Sequence, residues 1–184
     1  MTACGGKTSD DTNAQDESAQ SGTSTESIVL KLADTQPESS LTVKVEKLFG
    51  DAVAEATDGR ITVQVYPASQ LGNATTYTQM LQTGDIAIGR NDASAVYDFG
   101  VESHKILGLP YLFKDSKTAL KILNGELGDQ LKQDTADADL GFIDLGWFVD
   151  SSRCIFTANR PVNTLADLKG LKIRSLEASM TVDY

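Results

Sequence analysis

The chain has 184 residues and a formal net charge of -10. That length is enough for one domain with a core of its own, or for one lobe and part of another. The acidic charge argues against a nucleic-acid-binding protein, because phosphates would be repelled. No apolar run reaches the roughly 18 residues that predict a membrane-spanning helix. Two cysteines and one histidine argue against a zinc site or a Cys-His catalytic pair.

The first 27 residues form a segment of different composition. Beyond Cys4 it contains no large apolar side chain and is rich in Ser, Thr, Asp and Gly. Such a segment cannot bury enough surface to offset its ordering entropy, which predicts a disordered tether. The small residues before Cys4 and the two glycines after it resemble the end of a bacterial lipoprotein signal, which predicts Cys4 as a lipidation site. A disordered tail without a role is the alternative.

From residue 28 onward, strands and helices alternate. The predicted elements of the first half are a strand at 28–33, a helix at 41–56, a strand at 61–66, a helix at 74–83 and a short buried strand at 86–88. Ser39 or Ser40 is the predicted cap of the first helix, and Asp58-Gly59 its end. Gly84 is the predicted stop of the second helix.

The second half continues the alternation with weaker signals. The predicted elements are a packed loop or a short helical turn at 106–113, one helix capped by Asp115 or Ser116 and reaching about residue 133, strands at 142–148 and 153–158, a short capped helix at 164–167 and a last strand at 171–174. This order predicts an α/β layered fold with a largely parallel sheet. Ligands bind at the carboxyl ends of strands in such folds. The polar candidates at those ends are Asp34, Arg90, Asn91 and Arg174.

Four stretches together resemble one protein family. They are DGRITVQVYPASQLGN (58–73), GDI (84–86), LGLPYLFKDSKTALKILNGELG (107–128) and NRPVNTLADLKGLKIRS (159–175). In this order and spacing they resemble the DctP-type solute-binding subunits of tripartite ATP-independent periplasmic (TRAP) transporters. The resemblance implies a periplasmic-binding-protein-like (type II) fold of two lobes that close on a small organic acid, usually a carboxylate. It implies membrane transporter subunits as partners, and neither an enzyme nor a cofactor.

The resemblance also implies site residues. Arg174 matches the arginine that forms a two-pronged salt bridge with the ligand carboxylate, a role that suits the planar guanidinium. Arg153 resembles a second ligand-contacting arginine, although Asp150-Ser151-Ser152 departs from the glycine-containing turn of the family. Trp147 stands where the family often has an aromatic residue at the cleft, with core packing as an equal alternative. For Arg90, Asn91 and Asp34 a place at the same cleft competes with a solvated loop position.

Mapped on this family, residues 28–149 form the first lobe and 150–184 the start of a second lobe that is incomplete here. We therefore expect these 184 residues to bind ligand weakly or not at all. A ligand-sensing lipoprotein of the same fold, acting on a signalling partner, is the alternative function. The sequence lacks nucleophile-elbow, P-loop and dinucleotide-binding motifs, which argues against an enzyme.

Overall fold

A computed structural model of the chain describes residues 27–150 and 154–175. In this part the strands form a three-stranded parallel sheet with the order β2-β1-β3. The strands are β1 (Ile28–Ala33), β2 (Ile61–Tyr66) and β3 (Ile88–Gly89). The predicted α/β architecture with a parallel sheet is confirmed. The third strand is shorter than predicted and is shifted toward Gly89.

Helix α1 (Leu41–Ala56) connects β1 to β2 and has the predicted bounds. Ser40 caps it, because its Oγ accepts a hydrogen bond from the Val43 amide at 3.2 Å. The chain then leaves the helix through Asp58 and Gly59, whose φ angles are 51° and 76°.

The buried face of α1 is not its most apolar one. Leu41 and Leu48 are exposed, whereas Val43, Glu46 and Gly50 are buried. Gly50 explains why this face is the buried one. A Cβ at this position would lie only 3.2 Å from the Val63 Cβ, so α1 approaches β2 closely on its glycine side. Tertiary packing therefore overrides the helical spacing of the apolar residues.

Helix α2 (Ala74–Thr83) also has the predicted bounds. The side chain of Asn73 accepts from the Thr76 amide at 2.9 Å, and Gly84 ends the helix in the left-handed conformation with a φ of 78°. On its inner face, Tyr77 is 1% exposed and packs with Ala33 and Ile86 to form the core beside the sheet.

The predicted single helix after Asp115 is wrong, because the structure has two. They are α3 (Ser116–Leu123), capped by Asp115, and α4 (Glu126–Asp137). Gly125 separates them with an extended backbone (φ -117°, ψ -162°), which interrupts the helical hydrogen bonds. Two 3-10 segments, Ala93–Phe99 and Glu102–Gly108, precede this helical pair.

The three later strand predictions are wrong for the residues that the structure describes. Residues 142–148, 154–158 and 171–174 belong to neither helix nor strand. Their apolar patterns are suited to strands, but a strand also needs a hydrogen-bonded neighbour, and the described sheet has only β1, β2 and β3. The short helix between them is confirmed as a 3-10 turn at Leu165–Leu168. Within the described ranges, no helix is long and apolar enough to cross a bilayer.

Candidate functional site

Two of the predicted site residues lie side by side at the carboxyl edge of the sheet. Asp34 follows β1, and its amide donates to the Tyr66 carbonyl at the end of β2 at 3.1 Å. Arg90 follows β3, and its amide donates to the Ala33 carbonyl at 3.1 Å. The strand ladder thus brings an acid and a base from distant parts of the sequence to the edge where such folds bind ligands.

Arg90 and Asp34 form an ion pair with each other. The Arg90 Nη2 atom lies 2.9 Å from Asp34 Oδ1, which also accepts from the Gln36 amide at 3.1 Å. The Asp34 side chain is fully buried, and that of Arg90 is 26% exposed. Glu46, on the buried face of α1, also lies near the guanidinium, with its Oε1 3.9 Å from Arg90 Nε. Two buried carboxyl groups therefore share one arginine.

The environment of Glu46 changes its protonation. Burial raises the pKa of Glu46 to about 8, and the hydrogen bond and negative charge of Asp34 act in the same direction. The charge of Arg90 lowers the pKa of Glu46 but does not compensate. Glu46 is therefore mostly protonated at neutral pH, and the three side chains together carry no net charge.

Helix α2 fixes the backbone that carries Arg90 and Asn91. The Tyr77 hydroxyl donates to the Arg90 carbonyl, and burial raises the pKa of Tyr77 to about 12, so it remains a donor at physiological pH. Asn91 Nδ2 donates to the buried Thr78 Oγ1 at 2.8 Å, and its Oδ1 accepts from the Asp92 amide at 2.9 Å. Asn91 is thus held by protein groups at both ends of its amide.

Trp147 is half-buried against the helical pair. A Cβ added to Gly128 would lie 2.8 Å from the Trp147 Nε1 atom, and the indole and His104 ring centroids are 6.0 Å apart. The Nε1 atom is buried and has no hydrogen-bond partner in the structure. These contacts are those of a packed side chain.

His104 anchors the chain segment that carries Trp147. The imidazole is completely buried; its Nδ1 lies 3.0 Å from the Ala93 carbonyl and its Nε2 3.0 Å from the Thr135 hydroxyl. Thr135 Oγ1 in turn donates to Asp144 Oδ2 at 2.7 Å. A histidine on a 3-10 segment and a threonine on α4 thereby hold Asp144, three residues before Trp147.

The remaining predicted residues lie elsewhere or outside the described ranges. Arg174 is exposed at the end of the 171–174 segment, and no carboxylate among the described residues pairs with it. Arg153 and Cys4 lie outside the described residues. The structure therefore brings Asp34 and Arg90 together, places Asn91 beside them, and leaves Trp147 and Arg174 in separate segments.

Neither of two cavities in the described part of the chain suits an organic acid. One, of about 420 Å³, is lined by the carboxylates of Glu102, Asp134 and Asp137 and would repel an anion. The other, of about 340 Å³, includes Asn91 and Asp98 but no lysine or arginine. The sheet edge is therefore the better candidate for an acid-binding surface.

Sequence reasoning missed the residues that support this edge. Glu46 had no usable signal, because the apolar spacing of α1 indicated the face of Leu41 and Leu48 as the buried one. Tyr77 and Thr78 carried no signal either, because their partners are a backbone carbonyl and an amide that only the fold brings near.

The family of bacterial extracellular solute-binding proteins, family 7 (DctP), has a model that matches residues 32–184. One relative is the 2,3-diketo-L-gulonate-binding periplasmic protein YiaO of Escherichia coli K12, 32% identical over 136 residues, which cover 74% of this chain and 40% of YiaO. Another is the C4-dicarboxylate-binding periplasmic protein DctP of Rhodobacter capsulatus, 30% identical over 81% of this chain and 44% of that protein.

A solved structure gives the same result at the level of the fold. A TRAP periplasmic solute-binding protein from Pseudomonas putida F1 with bound D-glucuronate superposes with a TM-score of 0.78 at 28% identity, over 85% of this chain and 50% of that one. The chain thus spans about half the length of the proteins it matches. Because the family model matches most of the sequence, from the end of β1 onward, the chain belongs to the DctP family of bacterial extracellular solute-binding proteins.

Proposed function

We propose that the protein is an extracytoplasmic solute-binding protein that captures a small organic carboxylate and delivers it to the membrane subunits of a TRAP-type secondary transporter. The observation that carries the proposal is the family match, which runs from the end of β1 through Arg174 and so includes the strand-end positions. The names of YiaO and DctP specify 2,3-diketo-L-gulonate and C4-dicarboxylates as ligands, and the P. putida protein has D-glucuronate bound. All of these are carboxylates, which supports a carboxylate as the ligand of this protein.

In this proposal Arg174 is the main contact for the carboxylate. Its guanidinium is exposed, and a planar fork of donors fits the two oxygens of a carboxylate better than a lysine ammonium does. Arg153 supplies a second positive charge, and Trp147 supplies apolar area. Asn91 and the pair of Arg90 with Asp34 shape the first-lobe edge beside the ligand.

The arrangement along the chain follows from the same assignment. Residues 28–149 are the first lobe, and 150–184 begin the second. Residues 1–27 are a tether with Cys4 as its lipid-modified end, which would hold the protein at the outer face of the cell membrane or in the periplasm. Palmitate labelling of the protein as it is made in its own cells, compared with its Cys4→Ser variant, tests this part. Label retained by the variant would contradict the anchor.

A ligand panel tests the proposed function. The protein, as it is made in its own cells, is unfolded thermally with D-glucuronate, 2,3-diketo-L-gulonate or succinate, and with D-glucose as the uncharged control. An acid at about 100 times its dissociation constant adds roughly 2.7 kcal/mol of stability. For a chain of about 150–250 residues, this gain in stability raises the melting temperature by about 5–10 °C. We expect at least one acid to give such a rise and glucose to give none. An equal response to glucose, or no response to a wider panel of carboxylates, would refute the proposal.

A further inference from the structure

The cluster of Asp34, Glu46 and Arg90 leaves buried polar atoms that ionised side chains cannot satisfy. Asp34 Oδ1 has two donors, but among the described residues no N–H or hydroxyl group donates to Asp34 Oδ2 or to either oxygen of Glu46, although all three atoms are buried. The side chains of the two acids are 0% and 9% exposed. Buried carboxylate oxygens without donors are energetically costly. With both acids ionised, the cluster would therefore be short of at least one hydrogen-bond donor.

One proton on Glu46 supplies that donor. An ionised carboxyl group only accepts hydrogen bonds, whereas a protonated one has an O–H group to donate. The two carboxyl groups lie against the same guanidinium, 2.9 Å and 3.9 Å from its nitrogens, so an O–H group on Glu46 can donate to an Asp34 oxygen. The proton also removes the excess negative charge that two carboxylates would have beside one guanidinium. The hydrogen bonds and the charge balance therefore require the same proton.

We propose that Asp34, Glu46 and Arg90 form a buried proton-binding site, which holds one proton between the two carboxyl groups at neutral pH and loosens the carboxyl edge of the sheet when the proton leaves. The site joins β1, α1 and the residue after β3, so release of the proton leaves two buried anions beside a single guanidinium between these elements. Burial, which raises the pKa of Glu46 to about 8, places this release in the mildly alkaline range.

Within the described ranges, no other charge stands in for the proton. Asp34 and Arg90 are the charged groups that act on Glu46. The sequence of β2, against which α1 packs, is ITVQVY and contains no acid or base except the phenol of Tyr66. From α2 the titratable neighbour is Tyr77, whose pKa of about 12 keeps it neutral over the relevant range.

The pH dependence of stability tests the site. The pKa of Glu46 is higher in the folded chain than its ordinary value of 4.5. The folded state therefore binds the extra proton, and its stability falls as pH rises toward 8 and then levels off. The slope is at most tenfold in the folding equilibrium constant per pH unit. Glu46→Gln imitates the protonated acid and keeps a donor. We expect the ratio of folding constants, wild type over Glu46→Gln, to fall about 30- to 100-fold from pH 6 to pH 8.

A matched control and a direct readout complete the experiment. Glu55→Gln changes an exposed acid on the same helix. The ratio of folding constants, wild type over Glu55→Gln, should change by less than about twofold from pH 6 to pH 8. In the unmutated protein labelled with 13C at the glutamate side-chain carboxyls, one carbon should titrate near pH 8 and the others near their ordinary values. Parallel stability curves for wild type and Glu46→Gln would overturn the proposal. If Glu46→Gln does not fold, the absence of any glutamate carboxyl titrating above pH 6 would overturn it equally.

Discussion

Replacement of Arg90 with methionine should expose how strongly the sheet edge depends on one guanidinium. Methionine keeps much of the volume and the unbranched shape of the side chain but removes both the 2.9 Å contact with Asp34 and the charge near Glu46. Breaking a buried ion pair on one side costs about 3–5 kcal/mol, because a buried charge is left behind. Since Arg90 is 26% exposed and Asp34 keeps the Gln36 amide, we expect a cost just below that range, about 2–3 kcal/mol.

Urea unfolding followed by circular dichroism at pH 7 measures this cost. Arg60→Met removes an exposed arginine without an ion pair in the described structure and should change the free energy of unfolding by less than about 0.5 kcal/mol. The double variant Asp34→Leu/Arg90→Met removes both charges and should be more stable than Arg90→Met alone. A cost below about 1 kcal/mol for Arg90→Met, or a double variant less stable than the single one, would refute the reasoning.

Two further predictions concern backbone geometry. Gly128→Ala places a Cβ 1.7 Å from the Leu123 carbonyl oxygen, so we expect a loss of at least about 2 kcal/mol in urea unfolding, whereas Gly125→Ala, with 3.4 Å to its nearest contact, should cost less than about 1 kcal/mol. Similar losses in both variants would contradict the tight α3–α4 contact. Asn73→Ala removes the cap of α2 and should cost about 1 kcal/mol in the same assay, against little change for the exposed Thr75→Ala. Equal effects of these two changes would show that the cap contributes nothing.

The first half of the fold could be predicted because its boundaries are local. Ser40 and Asn73 accept from amides three residues ahead, and Asp58, Gly59 and Gly84 end helices with positive φ angles. These devices act within one helical turn, so the sequence alone contains the information. The bounds of α1 and α2 accordingly needed no correction.

The predictions of the later strands were wrong because strand formation depends on a partner strand that is distant in sequence. Residues 142–148 and 171–174 have apolar patterns suited to a sheet, yet the described residues there have no neighbouring strand to pair with. The break at Gly125 also escaped prediction, since one glycine in a helical pattern is often tolerated. Here the contact of Gly128 with Leu123 and Trp147 fixes where α4 begins relative to α3.

The candidate site was predicted only as a set of strand-end residues. The alternation of strands and helices placed Asp34 and Arg90 at the carboxyl edge, where the structure has them. Their mutual ion pair could not be derived, because 56 residues separate them in sequence. Glu46 was missed for a similar reason, since the face that α1 buries is decided by its contact with β2 rather than by its apolar spacing.

Isothermal titration of the protein, as made in its own cells, with the acid selected by the ligand panel tests the central claim most directly. The affinity of the wild type is compared with that of two Arg174 variants and one variant of a neighbouring residue. If Arg174 holds the carboxylate through two hydrogen bonds, Arg174→Ala should lose binding, Arg174→Lys should bind about 10- to 100-fold more weakly, and the exposed neighbour Lys172→Ala should bind as the wild type does. Wild-type affinity in Arg174→Ala would contradict the account.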